Sequence, residues 1–232
     1  MRHSNEKIVK NTFIFTASLV VQKIFSFGYF WFTSSRLAPE AMGLYAWTLS
    51  FTSLFSIGMD FGLASILARE AAKDESRAEK YLRTVYGLKL PLVILTSVAL
   101  WAVYVFLPHS PETTLLLIGA NSIIALDAIT PSAYSIIRAR KNLKNESIAY
   151  VVSEFLILAL GVILISVSRN VFYLIIAILA SVIFNFIFSN AILKFKFGFR
   201  LMPMLDKETA KHFLRIAPSF ALGGIFIKIY NS

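Results

Sequence analysis

The sequence predicts an all-α protein, a polytopic bundle of membrane-spanning helices, and three observations carry that prediction. Apolar residues make up 57% of the 232 and charged residues only 16%, with a mean hydropathy of +0.69, values that no single soluble core accommodates. The apolar residues gather into seven runs, at 12–33, 44–68, 84–107, 114–137, 148–166, 171–193 and 213–230, each close to the ~20 residues that cross a bilayer as a helix. The basic residues fall between these runs. Eighteen of the 23 Lys and Arg precede the first run, occupy the loops after the second, fourth and sixth or, in the case of Arg215, open the seventh run, against Arg36 and Arg169 in the alternate loops. By the positive-inside rule the N-terminus and the basic loops are cytoplasmic, and the loop at Pro108 is outside.

Other classes fit poorly. A net charge of +10 and a pI near 9.8 suit a nucleic-acid binder only when the cations share a soluble face, and here they lie between hydrophobic spans, so no nucleic-acid partner is expected. There is no cysteine, and His3, His109 and His212 stand apart with no HExxH spacing, so neither a metal site nor a cofactor is expected. No GxSxG or P-loop occurs, which argues against an enzyme.

Taken in order, the first run follows Lys7 and Lys10, as a secretory signal would. Gln22 and Lys23 in its middle make it a span instead. The second run covers 25 residues, ~37 Å as one helix, and carries Asp60. Thr48, Thr52, Ser56 and Asp60 recur every fourth residue and form one polar stripe that must face protein or water, while Gly58 and Gly62 have the small-xxx-small spacing of a close helix contact. The third run begins after a basic loop, with Lys89 six residues past Arg83 and able to snorkel to the cytoplasmic surface. The fourth holds Asp127, ~16 Å from Arg138, and the fifth holds Glu154. After the sixth, KFKFGFRLMPMLDKETAKH alternates rings and cations as an interfacial segment does, with Asp206 placed to cap a following helix. The seventh contains Pro218, which with Gly223 and Gly224 predicts a bend, and Lys228 near its outer end.

Charges within spans are the chemistry this sequence offers. At mid-depth an ionised side chain is costly and marks a polar cavity, so Lys23, Asp60 and Asp127 are the leading candidates, with structural pairing of Lys23 and Asp60 as the alternative.

Several stretches resemble a known family. LAPEAMGLYAW through GMDFGLASILARE is similar to the second-helix region of the oligosaccharide flippases, the polysaccharide-export branch of the multidrug/oligosaccharidyl-lipid/polysaccharide exporter superfamily, on Pro39, Glu40, Gly43, Tyr45, Asp60, Gly62 and Arg69. IIRARKNLKNESIAYVVSE, at 136–154, resembles the R-A-x-x-x-x-x-x-E-A joint between helices four and five, with Ser147 in place of the usual small apolar residue, and FLRIAPSFALGGIFIKIYNS resembles the start of the seventh helix.

The resemblance implies an inverted-V transporter of two six-helix lobes around a central cavity. Residues 1–197 would be the first lobe, 198–212 a cytoplasmic interfacial linker, and 213–232 the start of helix seven of a missing second lobe. It implies a plasma-membrane protein that moves a polyprenyl-pyrophosphate-linked oligosaccharide to the outer leaflet, its partners being the bilayer, that lipid-linked substrate and the C-terminal lobe. Lys23 would meet the pyrophosphate, with Gln22, Ser26, Tyr29 and Thr33 supplying groups for sugars. Asp60, Asp127 and Glu154 would couple transport to a cation or proton. A cation-coupled multidrug extruder of the same superfamily is the alternative.

Overall fold

The computed structural model describes residues 2–108, 110–140 and 143–231, with side chains described at residue 13 and, within those ranges, over 15–221. Among them are eight α-helices and no strand: α1 Arg2–Ser34, α2 Pro39–Asp60, α3 Leu63–Lys73, α4 Ala78–Tyr104, α5 Pro111–Ala139, α6 Leu143–Val167, α7 Phe172–Ala191 and α8 Lys207–Asn231. Five helical stretches of the described residues are long and apolar enough to cross a membrane: Pro39–Lys73, Glu75–Tyr104, Pro111–Ala139, Leu143–Val167 and Phe172–Lys196. The first and seventh predicted spans lie on α1 and α8, and Lys228 falls outside the described side chains. Several helices outrun their apolar windows because polar caps extend them. Pro39 opens α2 with Glu40 in its first turn, and the Ser110 hydroxyl accepts from the Thr113 amide at 3.1 Å to start α5.

The second predicted span departs from expectation. The run 44–68 is not a single helix but is broken at Phe61 (φ 48°) and Gly62 (φ 75°), two successive left-handed residues that separate α2 from α3. Gly62 tolerates that backbone, and it is also where α8 arrives: a Cβ there would sit 2.8 Å from Phe220 Cβ and 2.9 Å from the Ala221 nitrogen. Gly58, one turn earlier, faces Thr96 of α4, so both glycines of the predicted spacing do make close contacts.

α5 is the central helix, packed against α2, α3, α4 and α7, while α1 lies chiefly along α6. One core joins α3, α4, α5 and α8 at the end carrying the basic loops, around Leu67, Leu82, Tyr134, Ile137 and Phe213. A second joins α1, α5, α6 and α7 at the opposite end, around Tyr29, Leu116, Ile165 and Leu174. Between α7 and α8 the chain makes a π-helical turn, Ile192–Lys196, turns at Gly198 (φ 70°) and then runs extended across α4. Arg83 Nε donates to the Met202 carbonyl at 2.9 Å and the Met204 amide donates to the Arg83 carbonyl at 3.0 Å. Asp206 then caps α8 as expected, accepting from the Thr209 amide at 3.0 Å and its hydroxyl at 2.7 Å, so the boundary expected at 213 falls inside that helix.

Candidate functional site

The break after Asp60 sets up a polar centre inside the bundle. As the last residue of α2, Asp60 turns one carboxylate oxygen toward the Ala64 amide, 3.4 Å away at the start of α3. The same oxygen is ion-paired with Lys89 of α4, whose ammonium also donates to the carbonyl of Ala128 on α5. Lys89 has no exposed surface, whereas the Asp60 side chain keeps 30% of its own. Snorkelling of Lys89 is thus replaced by burial, because the broken helix presents a carboxylate and α5 a carbonyl within reach of its stem. Pro131, three residues beyond Ala128, has no N–H for the Asp127 carbonyl and weakens the α5 backbone ladder beside the pair.

Asp60 opens onto a cavity of about 650 Å³ between α2, α3, α5 and α8, lined also by Ser56, Ser65, Asp127, Pro131 and Phe220. Two of the predicted intramembrane carboxylates, Asp60 and Asp127, are brought together there. The predicted stripe divides on the way. Thr48 and Thr52 are fully buried, with hydroxyls bonded to the carbonyls one turn back, while Ser56 and Asp60 reach the cavity.

The third carboxylate lies elsewhere. Glu154 of α6 accepts from Gln22 Nε2 and from Ser26 Oγ of α1, each at 3.0 Å. Beside it the Asn185 amide of α7 donates to Ser153 Oγ at 2.6 Å, and the Tyr134 hydroxyl of α5 donates to Asn185 Oδ1 at 2.8 Å. Tyr29 and Thr33 are buried, Tyr29 against Gly161 and Thr33 on its own helix backbone. Lys23 is exposed on α1, on a stripe with Phe27, Phe30 and Trp31 that points away from the Gln22–Ser26 face. The five substrate candidates on α1 therefore fall on three surfaces.

At the basic end, Glu146 of α6, its side chain 1% exposed, is paired with Arg138 of α5 at 2.9 Å and accepts from the Tyr150 hydroxyl at 3.0 Å. Arg140 stacks on Phe197 and Phe199, at 4.4 and 5.2 Å to the ring centres, and meets Glu75 at 3.0 Å. These contacts tie the α5–α6 joint to the linker.

Comparison with known proteins decides the family. The family described as polysaccharide biosynthesis protein matches residues 8–232. The chain belongs to it. Among curated proteins none matches significantly. Solved structures share the fold: a MOP superfamily transporter from Pyrococcus furiosus, reported with a binding pocket of reverse polarity, superposes at a TM-score of 0.68 with 20% identity over 96% of this chain and 53% of its own. A MATE in complex with Br-NRF gives 0.71 at 20%, covering 96% of this chain and 55% of its own. An outward-facing multidrug resistance MATE family transporter gives 0.69 at 18%, covering 96% and 53%. The chain therefore has the fold of these solved transporters, and it spans about half the length of the structures it matches.

Membership explains one motif physically. In this family member the R-A-x-x-x-x-x-x-E spacing brings the exposed Arg138 and the buried Glu146 into an ion pair across the α5–α6 joint. Lys89 as a buried partner, Glu146, Asn185 and Tyr134 are polar residues that sequence reasoning passed over. For Asn185 the available signal was an amide, one of two, in an apolar run, and for Glu146 it was the motif itself.

Proposed function

We infer that this chain is the first lobe of a flippase that carries a polyprenyl-pyrophosphate-linked oligosaccharide from the cytoplasmic to the outer leaflet of the plasma membrane, with its N-terminus cytoplasmic. The observation that carries the reading is the family match over nearly the whole chain. Residues 1–197 form the lobe, 198–206 its cytoplasmic linker, and α8, from Lys207, is the helix that leads into a second lobe. The substrate's headgroup is anionic and its sugars present hydroxyls and ring faces. The exposed Lys23 with Phe27 and Phe30 beside it suits both parts, an ammonium for the pyrophosphate and aromatic planes for the sugars. Gln22, Ser26, Tyr29 and Thr33 act behind that surface, Gln22 and Ser26 by fixing Glu154, and Asp60, Asp127 and Glu154 remain the groups through which a cation or proton is coupled.

A second reading has its own support. The cavity at the α2–α3 break carries two carboxylates, Asp60 and Asp127, which suits a cationic drug as well as a coupling ion, and two of the solved structures named above are multidrug-type MATE proteins. Deleting the intact gene separates the two readings. Lipid-linked saccharides that accumulate in the deletion strain, seen by thin-layer analysis and cleared by the restored gene, support the flippase. Unchanged lipid-linked pools with new sensitivity to cationic drugs would establish the extruder instead.

A further inference from the structure

Beside the first turns of α8 lies a second hollow, of about 710 Å³, lined by Leu205, Lys207, Ala210, Lys211, Leu214 and Arg215. Lys207, Lys211 and Arg215 follow at intervals of four residues and so form one stripe along the helix, with Leu214 beside it. All three cations are exposed, while Thr209, Ala210, Phe213 and Ala217 bury the other face of α8 against the bundle. None of the three is ion-paired among the described residues. Of the neighbouring carboxylates, Asp206 pairs with Lys80 at 3.0 Å, Glu70 pairs with Arg69, Lys73 and His212, and Glu208 is not in the lining. The edges of the hollow are fixed. The Met204 amide donates to the Arg83 carbonyl at 3.0 Å, which sets Leu205 against Gly87 of α4, and the Asp206 cap starts α8.

Arg215 stands at the mouth of the apolar run 213–230, with Lys211 and Lys207 one and two turns outside it. Four residues of helix rise ~6 Å, so the stripe is ~12 Å long, against about 5–7 Å for the headgroup layer of one leaflet. Phospholipid phosphates sit at one depth and engage one end of such a stripe. A pyrophosphate carries two charged groups in series from the lipid outward, and cations stepped in depth match that order.

We propose that this hollow receives the pyrophosphate of the lipid-linked substrate at the cytoplasmic surface. Arg215 holds the phosphate next to the polyprenyl chain, Lys211 holds the phosphate that bears the sugar, and Lys207 lies by the sugar. Leu214, 45% exposed beside Arg215, borders the start of the chain. The inference rests on the flippase reading above and adds where the headgroup is gathered before it meets Lys23.

Benzoylphenylalanine at Leu214 tests the site in the intact protein, reconstituted into phosphatidylcholine with equal small amounts of polyprenyl pyrophosphate, the matching polyprenyl monophosphate and phosphatidylglycerol. Mass spectrometry of the adducts should show the pyrophosphate about fivefold above the monophosphate, the gain from one further charge pair at a membrane surface. Changing Lys207, Lys211 and Arg215 together to Gln should abolish that preference, and Lys211→Gln alone should remove most of it. If the label at Leu214 prevents folding, the exposed Leu205 takes its place. Equal yields of pyrophosphate and monophosphate, phosphatidylglycerol in excess, or a preference that survives the triple change would overturn the site. Unchanged lipid-linked pools in the deletion strain would overturn the reading on which the site rests, whereas pools that the restored gene clears, together with equal adduct yields, would overturn the site alone.

Discussion

The Lys89 ammonium is sealed inside the bundle against the carboxylate of Asp60, the residue at which α2 ends. The two partners are unequal: Lys89 has no solvent contact, while Asp60 opens onto the cavity. Removing the carboxylate therefore strands a buried cation, whereas removing the cation leaves an anion that cavity water can hydrate. We expect Asp60→Asn to cost about 2–4 kcal/mol of stability, Lys89→Met distinctly less, and the double change to recover most of the Asp60→Asn loss. Thermal unfolding of the four proteins in mild detergent checks this. Additive losses in the double variant would show that the pair is not coupled.

The two glycines before and within the break should answer differently to the same added methyl. At Gly62 an alanine meets both an unfavourable left-handed backbone and the main chain of α8 at 2.9 Å, so Gly62→Ala should cost at least about 2 kcal/mol. At Gly58 the obstacle is the Thr96 side chain at 3.0 Å, which can turn aside, and Gly58→Ala should cost less than about 1 kcal/mol. Equal unfolding temperatures for the two variants would refute the contrast.

At the linker, the Thr209 hydroxyl and amide and the Lys80 ammonium, 3.0 Å away, push the Asp206 carboxyl down to about 2. A folded value below the ordinary one means a contribution that is fully present above pH ~4 and disappears as the pH falls through about 2. Wild type should thus lose more stability over that interval than Asp206→Ala, so that the gap between their unfolding curves closes near pH 2. Parallel curves throughout would show that the cap does not titrate there.

Orientation is open to labelling. Pro108 lies in the loop between α4 and α5 and Ala72 near the end of α3, both exposed and without the capping role that Ser110 has at α5. A cysteine at Pro108 in the intact protein should react with an impermeant maleimide added to whole cells, and one at Ala72 only after permeabilisation. The opposite pattern would invert the topology and with it the direction of transport.

The helices were legible because apolar runs and basic loops are properties of the local sequence, as was the cap at Asp206. The break at Phe61 was not. Hydropathy sums straight across Phe61 and Gly62, two left-handed residues of which the second packs against Phe220 and Ala221 of α8, about 160 residues away in sequence. Lys89 misled for a related reason: its distance from Arg83 along one helix allowed snorkelling, but its surroundings are set by Asp60 and Ala128 on two other helices. The four-residue spacing of Gln22 and Ser26 correctly put both on one face, while their partner, Glu154, could come only from the packing of α1 on α6.

The pairing of Asp60 with Lys89 also sharpens what Lys23 can be. Asp60 already has its cation and Glu154 is held by Gln22 and Ser26, so Lys23 stands on the outer stripe of α1 with Phe27 and Phe30 and is not the counter-ion of either carboxylate. Its removal strands no buried anion, and Lys23→Ala should leave abundance and unfolding temperature near those of wild type. If the ammonium meets the transported pyrophosphate, Lys23→Ala should lower export of the lipid-linked saccharide by about tenfold or more, the scale of one charge-assisted contact. Lys23→Arg should retain part of that export, since it keeps the charge but changes the geometry. Complementation of the deletion strain, with immunoblots for abundance, measures both quantities. Full export by a well-expressed Lys23→Ala protein would remove this residue from the substrate path and leave the cavity beside Asp60 and Asp127 as the place to look for it.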